Sequence, residues 1–280
     1  MESIENIILR HSARGMDVLR PSLPEDFCRR AAQKLLDLPR GTVLLTTGFC
    51  VCGAAETDGP AGTFAVAVAP RLLGFDPVIL TDELCGGIFE QEEFETIYFP
   101  LDGGIEDARR LLEERHPVCL FSLERCGLNM VGDYMNMRGK SIREKTAPVD
   151  LLFMIAKGRI PTIGVGDGGN EIGMGNVAGV IAQNLQLIPC IVPVDELVIA
   201  TVSNWGGYGI CAYLEQLTGR ALTPSYEDIR IFLERGRERG CVDGISGLPA
   251  VTEDGFPGEV TKEILEALKI AALLYREKRA

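Results

Sequence analysis

Histidine is almost absent, with two residues, His11 and His116, in a chain of 280. No histidine-based metal motif exists, and neither histidine suggests a Ser-His-Asp or Cys-His arrangement, because His11 lies in the N-terminal arm and His116 at a helix end before Pro117. Basic residues are also in deficit: 28 Lys and Arg stand against 40 Asp and Glu, a formal net charge of −12. So negative a surface argues against nucleic acid or an anionic membrane as partner. No apolar run is long enough to span a bilayer, because the longest, Val177 to Val194, is broken by Gln183, Asn184, Gln186, Pro189 and Pro193. Cysteine is present nine times, but in odd number and with no CxxC pair; Cys50-Val51-Cys52 is too close for the usual zinc spacing. Cys119 and Cys190 lie in apolar runs, as buried free thiols of a reducing compartment do. The opening Met1-Glu2-Ser3-Ile4-Glu5 resembles neither a secretory signal nor a transit peptide. The expected location is therefore cytoplasmic.

What is present is an ordinary globular composition, 46% hydrophobic, in a length that suits one large α/β domain spanning residues 1–280. Continuous apolar, β-branched runs predict strands at Thr42–Thr47, Pro77–Thr81, Glu95–Phe99, Pro117–Leu123, Pro161–Val165 and Leu197–Thr201. Helices are predicted at Pro24–Leu38, Ala61–Leu73, Ile105–Arg115, Val149–Lys157, Gly206–Leu217, Tyr226–Arg239 and Glu259–Arg279. Ser22 and Pro24 supply a cap and a first-turn proline for the first of these. Alternation of strand and helix predicts an open, mostly parallel, Rossmann-like sheet of six or seven strands with helices on both faces. Residues 1–22 read as an N-terminal arm. Residues 124–147 lack any period, and a loop of that length inside a compact domain is usually functional.

Ligands of open α/β sheets bind outside the carboxyl ends of the strands. Polar, glycine-linked sets follow five of the six predicted strands: Thr46-Thr47-Gly48 with Glu56-Thr57-Asp58-Gly59-Pro60; Thr81-Asp82; Glu124-Arg125; Gly166-Asp167-Gly168-Gly169-Asn170-Glu171; and Ser203-Asn204. Glu56 and Asp58, with Thr57 between them, can hold a cation or an ammonium group, or Thr57 or Asp58 can simply cap the next helix. Asp167, Asn170 and Glu171 are presented together by glycines that allow a tight backbone. Gly164-Val165-Gly166-Asp167-Gly168-Gly169 is a literal GxGxxG, yet Asp167 inside the loop would repel a pyrophosphate. Arg125, Arg138, Lys140, Arg143 and Lys145 form a basic island in the long loop. Any metal would be a hard ion such as Mg²⁺ or Mn²⁺ on carboxylate oxygens, with Asp167 and Glu171 as its expected ligands. No cofactor is otherwise implied.

Taken together, Thr47-Gly48-Phe49, Glu56-Thr57-Asp58-Gly59-Pro60, Leu72-Leu73-Gly74, Glu124-Arg125, Tyr134-Met135-Asn136-Met137-Arg138-Gly139 and Gly166-Asp167-Gly168-Gly169-Asn170-Glu171-Ile172-Gly173-Met174-Gly175 resemble the carboxyl-terminal domain of the D-glutamate cyclase family. The hydro-lyase-like amino-terminal domain of longer members has no counterpart in this sequence. Cys126 stands where proline is expected after Glu124-Arg125. The resemblance implies dehydration of D-glutamate, or a related amino-dicarboxylate, to 5-oxo-D-proline, which is carbon–oxygen lyase chemistry. For that reaction Asp58 and Glu56 are expected on the ammonium side, and Asp167 and Glu171 in proton transfer or cation binding. Arg125 and Arg138 are expected to bind carboxylates. Thr47, Thr57, Asp82, Glu124, Asn136, Gly168, Gly169, Asn170 and Asn204 would contact or orient the substrate. The alternatives are a nucleotide-dependent Rossmann-type oxidoreductase and a non-catalytic amino-acid or ion-binding domain. A homodimer is the base-rate expectation.

Overall fold

The computed structural model describes residues 2–12 and 14–277. Met1, Ala13 and residues 278–280, including the predicted end of the last helix at Arg279, lie outside the described residues. The strands are β1 (Thr42–Thr46), β2 (Cys50–Val51), β3 (Ala54–Ala55), β4 (Asp76–Thr81), β5 (Thr96–Tyr98), β6 (Cys119–Leu123), β7 (Thr162–Gly166) and β8 (Glu196–Ile199). The helices are α1 (Ile4–Ile8), α2 (Met16–Leu19), α3 (Phe27–Asp37), α4 (Pro60–Leu72), α5 (Ile105–Arg115), α6 (Asp150–Ala156), α7 (Ala178–Asn184), α8 (Ser203–Thr218), α9 (Tyr226–Glu238) and α10 (Gly258–Glu277).

Six strands form one parallel sheet in the order β5-β4-β1-β6-β7-β8. Counted within the sheet, this is the 3-2-1-4-5-6 order of doubly wound folds. The order of strand addition reverses between the parallel strands β1 and β6, whose register pairs Val43 with Cys119 and Thr46 with Ser122. The carboxyl ends of those two strands therefore flank the crevice where such folds take ligands. Right-handed crossovers put α4, between β1 and β4, on one face, and α6, between β6 and β7, on the other. Leu44, Leu45, Ile79, Leu80, Phe121, Ile163, Val165 and Val198 are buried, as an all-parallel sheet covered on both faces requires.

The segment read as an arm is part of the core. Ile4, Ile7 and Ile8 of α1 are buried, as are Met16 and Leu19 of α2, and Gly209 of α8 is approached by Ile8 and Ile4. The start of α3 also differs: the helix begins at Phe27 behind Asp26, and neither Ser22 nor Pro24 caps it. At α4 the expected Thr57 or Asp58 cap is largely replaced by a distant residue. Pro60 occupies the first turn, and Asn204 Oδ1 accepts the amides of Gly59 at 2.9 Å and Gly62 at 2.6 Å. Asp58 Oδ1 also accepts the Gly59 amide, at 2.9 Å. The α4 and α8 N-termini are thereby locked together. No helix among the described residues is long and apolar enough to cross a membrane.

Candidate active site

Three strand ends and two helix N-termini converge on one patch of acid. β1 runs into the short β2–β3 hairpin, which returns the chain so that Glu56 and Asp58 arrive beside the N-terminus of α8. The backbone amides of Ser203 and Asn204 donate to Asp58 at 3.1 and 2.8 Å. Ser203 N–H also donates to Asp167 Oδ2 at 3.1 Å. Two carboxyl groups thus share one helix N-terminus, where the helix dipole favours negative charge. Glu124, at the end of β6, holds a left-handed φ of 49°, rare for a residue with a side chain. Its Oε2 accepts from Ser203 Oγ at 2.5 Å. Strain of this kind persists where surrounding structure dictates it, commonly at functional sites.

All these groups are buried, and their electrostatics follow. Burial pushes the Glu124 carboxyl well above the usual carboxylate range, and Asp167, Glu171, Asp58 and Glu56 push it further. Glu56 is raised by burial and then by Asp58. Asp167 is raised chiefly by burial and by Asp58 and Glu171, with Arg14 opposing them. Carboxyl groups held in this way keep their protons to higher pH than exposed acids do, which suits proton donation.

Glu171 has a different task. Its Oε1 accepts the amides of Gly168 at 2.7 Å and Asp167 at 3.3 Å, and its Oε2 accepts that of Gly169 at 2.6 Å. The GxGxxG amides that would cradle a pyrophosphate therefore already hold a carboxylate. The loop also leads into a short turn at Gly175–Val177 before α7, not directly into a helix. Both observations count against a dinucleotide at this motif.

The expected substrate contacts separate into two groups. Glu56, Glu124, Asn136, Arg138 and Asn170 line a cleft of about 780 Å³, together with Arg14, Lys140, Arg143, Lys145, Gly244 and Asp254. The loop 124–147 is an ordered wall of this cleft. Tyr134 Oη donates to Asp150 at 2.7 Å, Asn170 Nδ2 to the Met135 carbonyl at 2.9 Å, and Asn136 Oδ1 caps the amides of Arg138 and Lys140. Arg125, Asp82 and Asn204 are fully buried and engaged elsewhere. Arg125 pairs with Asp82 at 2.5 Å and donates to the carbonyls of Gly48 and Ala147, both at 2.9 Å. It clasps the ends of β1 and β4 to the end of the long loop. Asn204 caps α4 and donates to Glu253 at 2.7 Å. The Gly168 and Gly169 amides serve Glu171, while Thr47 and Thr57 keep buried hydroxyls with no partner among the described residues.

Arg14 and Asp254 were not expected from the sequence. Arg14 Nη2 pairs with Asp167 at 2.5 Å and with Asp254. Asp254 belongs to a loop organised by Asp243, which accepts the amides of Ile245, Ser246 and Gly255 and the Thr252 hydroxyl. That loop closes the site over Glu56. The Asp254-Gly255 pair marks a turn in the sequence, but nothing local to it indicates this destination.

The oxygen donors fit a hard divalent cation. Carboxylate oxygens of Asp58, Asp167 and Asp254 lie within 4.8 Å of one another, as do those of Glu124, Asp167 and Glu171. Asn170 Oδ1, beside this group, is buried without a partner among the described residues.

A family model described as D-glutamate cyclase-like, C-terminal, matches residues 4–269. The chain belongs to this family. It is 32% identical over 240 residues to the human protein D-glutamate cyclase, mitochondrial, an alignment covering 76% of this chain and 38% of that protein. The chain thus spans well under half the length of its curated relative. Among solved structures, a short chain dehydrogenase from Leptospira borgpetersenii with bound NAD⁺ is 12% identical, covering 66% of this chain and 68% of that one at a TM-score of 0.29. So low a score carries no argument. Within this D-glutamate cyclase-like domain, the buried acids Glu56 and Glu124 and the exposed bases Arg138, Lys140, Arg143 and Lys145 line one cleft.

Proposed function

We propose that this cleft binds an amino-dicarboxylate and that the domain catalyses dehydrating cyclisation of D-glutamate to 5-oxo-D-proline. One observation carries the reading: buried acids and exposed bases face each other across a single cleft at the β1/β6 crevice. A substrate with an ammonium group and two carboxylates has the complementary pattern. Membership of the D-glutamate cyclase-like family supports the same substrate class.

In the reaction the substrate amine attacks its own distal carboxyl carbon, a C–N bond forms, and the carboxyl C–O bond breaks to release water. The nitrogen must lose two protons in all, one before attack and one after the C–N bond forms, and the departing carboxylate oxygen must gain two to leave as water. Arg138 and Lys140 hold carboxylates on the wall, folding the substrate so that amine and carboxyl meet. Asp58, fixed by the amides of Ser203 and Asn204, receives the ammonium group and accepts its proton. Glu124, whose carboxyl is raised by burial among other acids, delivers protons to the leaving oxygen, while Asp167, ion-paired to Arg14, stands with Asp58 on the ammonium side. Glu56 shields the ammonium from solvent, and Glu171 keeps the Asp167 loop in shape. A Mg²⁺ or Mn²⁺ ion held by Asp167, with Asp58 and Asp254 or with Glu124 and Glu171, would polarise a carboxyl oxygen as a Lewis acid.

The test is incubation of the purified chain with D-glutamate, and separately with L-glutamate, with and without Mg²⁺ or Mn²⁺, followed by chromatographic detection of 5-oxoproline. Product from D-glutamate that disappears in Asp167→Asn and Glu124→Gln supports the assignment. Absence of product under every condition refutes it. Binding without turnover would favour the ion- or amino-acid-binding alternative.

A further inference from the structure

We infer that Arg14 is a tethered counter-cation, a positioning residue whose guanidinium occupies the place of the substrate's ammonium group until the substrate displaces it. This rests on the amino-dicarboxylate reading and deepens it.

Arg14 follows α1 and immediately precedes Gly15, whose φ of 82° gives the chain a turn there. Among the described residues it is the only base ion-paired to the acids of the site, which are Glu56, Asp58, Glu124, Asp167, Glu171 and Asp254. The manner of pairing is unusual. Its bonds to Asp167, Asp254 and the Thr201 carbonyl all use Nη2. An arginine that braces two carboxylates permanently is more often forked, with two nitrogens on one acid. Among the described residues, Nε and Nη1 of Arg14 make no hydrogen bond. The side chain is 24% exposed and lines the cleft, whereas Asp167 behind it is 1% exposed. A cation entering from the cleft meets Arg14 before it meets Asp167, which does not line the cleft.

A second observation points independently to a missing donor. Asn170 is 3% exposed and lines the same cleft. Its Nδ2 is engaged by the Met135 carbonyl, yet its Oδ1 is buried without a partner. Gly168 lies between that oxygen and Glu171 Oε1, at 3.1 and 2.8 Å from the position a Cβ would take. Arg14 does not reach Asn170 Oδ1. An ammonium group, with three N–H donors, can satisfy the Asp167 carboxylate and this oxygen together. Arg14 thus neutralises the cage while it is empty but leaves part of its hydrogen-bonding capacity unmet, which favours exchange for the ligand.

The experiment is calorimetric titration of the full chain, as wild type, Arg14→Gln and Arg14→Lys, after melting curves establish that each variant folds. The ligands are D-glutamate, glutarate (the same dicarboxylate without the amine) and Mn²⁺ alone. Removing a competing charge should tighten D-glutamate and Mn²⁺ binding to Arg14→Gln by about tenfold. Glutarate should bind no tighter, and Arg14→Lys should fall between wild type and Arg14→Gln. If Arg14→Gln does not fold, Arg14→Lys alone decides by binding D-glutamate and Mn²⁺ tighter than wild type or not. Unchanged or weaker Mn²⁺ binding overturns the inference and makes Arg14 a structural brace. Loss of glutarate affinity overturns it in favour of a carboxylate clamp. If D-glutamate binds none of the proteins while Mn²⁺ tightens, competition for the cage stands and the amino-dicarboxylate reading falls.

Discussion

Arg125 offers the sharpest test of which polar residues at the strand ends belong to the fold and which to the ligand. Its side chain and that of Asp82 are both 0% exposed, paired at 2.5 Å. The same guanidinium donates to the carbonyls of Gly48 and Ala147 at 2.9 Å. Arg125→Met keeps much of the volume but leaves Asp82 as an uncompensated buried acid and frees two carbonyls. Breaking a buried pair from one side costs about 3–5 kcal/mol, which lowers the melting temperature by about 5–9 °C in a chain of this size. Urea denaturation of the ligand-free protein measures it directly. Changing Asp82→Asn in the Arg125→Met background should recover part of the loss, because the stranded charge is removed. A substrate clamp behaves in the opposite way, since functional groups at a site are commonly neutral or costly to stability. A loss below about 1 kcal/mol would therefore refute the clasp and return Arg125 to the substrate.

Three further outcomes follow from the geometry. Glu253 is buried, and burial raises it from 4.5 to about 6 despite donors from Thr261, Tyr208 and Asn204. Glu56, Glu124 and Asp167 are also raised, by burial first. A raised acid binds its proton more tightly folded than unfolded. Its contribution is thus complete below the unfolded pKa and is lost as pH rises through the folded one. Thermal melts of the ligand-free protein should show stability falling from pH 5 to pH 8, with Glu253 alone accounting for about 1 kcal/mol, and a flat profile would be incompatible with this account. Gly62→Ala would set a Cβ 2.7 Å from the Asn204 Cα, forcing α4 from α8; a cost of about 1–3 kcal/mol together with reduced ligand affinity is expected by denaturation and calorimetry. Asp243→Ala removes the acceptor that gathers the amides of Ile245, Ser246 and Gly255. Protease nicking within residues 244–255 should accelerate in that variant, and unchanged proteolysis would show that the loop is ordered by other contacts.

Strand positions and the acids at strand ends were legible in the sequence because both have local causes. Runs such as Val43-Leu44-Leu45 and Leu120-Phe121 are apolar at every position, and glycines beside Asp58 and Asp167 mark tight turns. Features decided by distant partners were not legible. Nothing near Arg125 indicates that Asp82 and two carbonyls would engulf it. Asn204 caps a helix whose amides lie 145 and 142 residues away. The five residues of α1 are too few to form a helix alone and depend on packing against α8. The same non-local assembly brings Arg14 and Asp254 to Asp167 from near opposite ends of the chain.

A net charge of −12 appears hostile to a dicarboxylate, but the distribution matters more than the sum. Exposed charges are screened beyond about 8 Å at physiological ionic strength, so the acidic shell acts weakly on a ligand already inside the cleft. The cleft is lined by the exposed bases Arg138, Lys140, Arg143 and Lys145, by Arg14, itself ion-paired to Asp167, and by the buried acids Glu56 and Glu124. A basic wall alone would accept any small anion, and an acid cage alone any small cation. Opposed across one cleft, they favour a molecule that carries both charges on a short skeleton. Neutralising the wall with Arg138→Gln and Lys140→Gln should weaken D-glutamate and glutarate alike, whereas neutralising the floor with Asp58→Asn should weaken D-glutamate and spare glutarate. Equal losses in both variants would mean that the two walls do not read separate ends of the ligand.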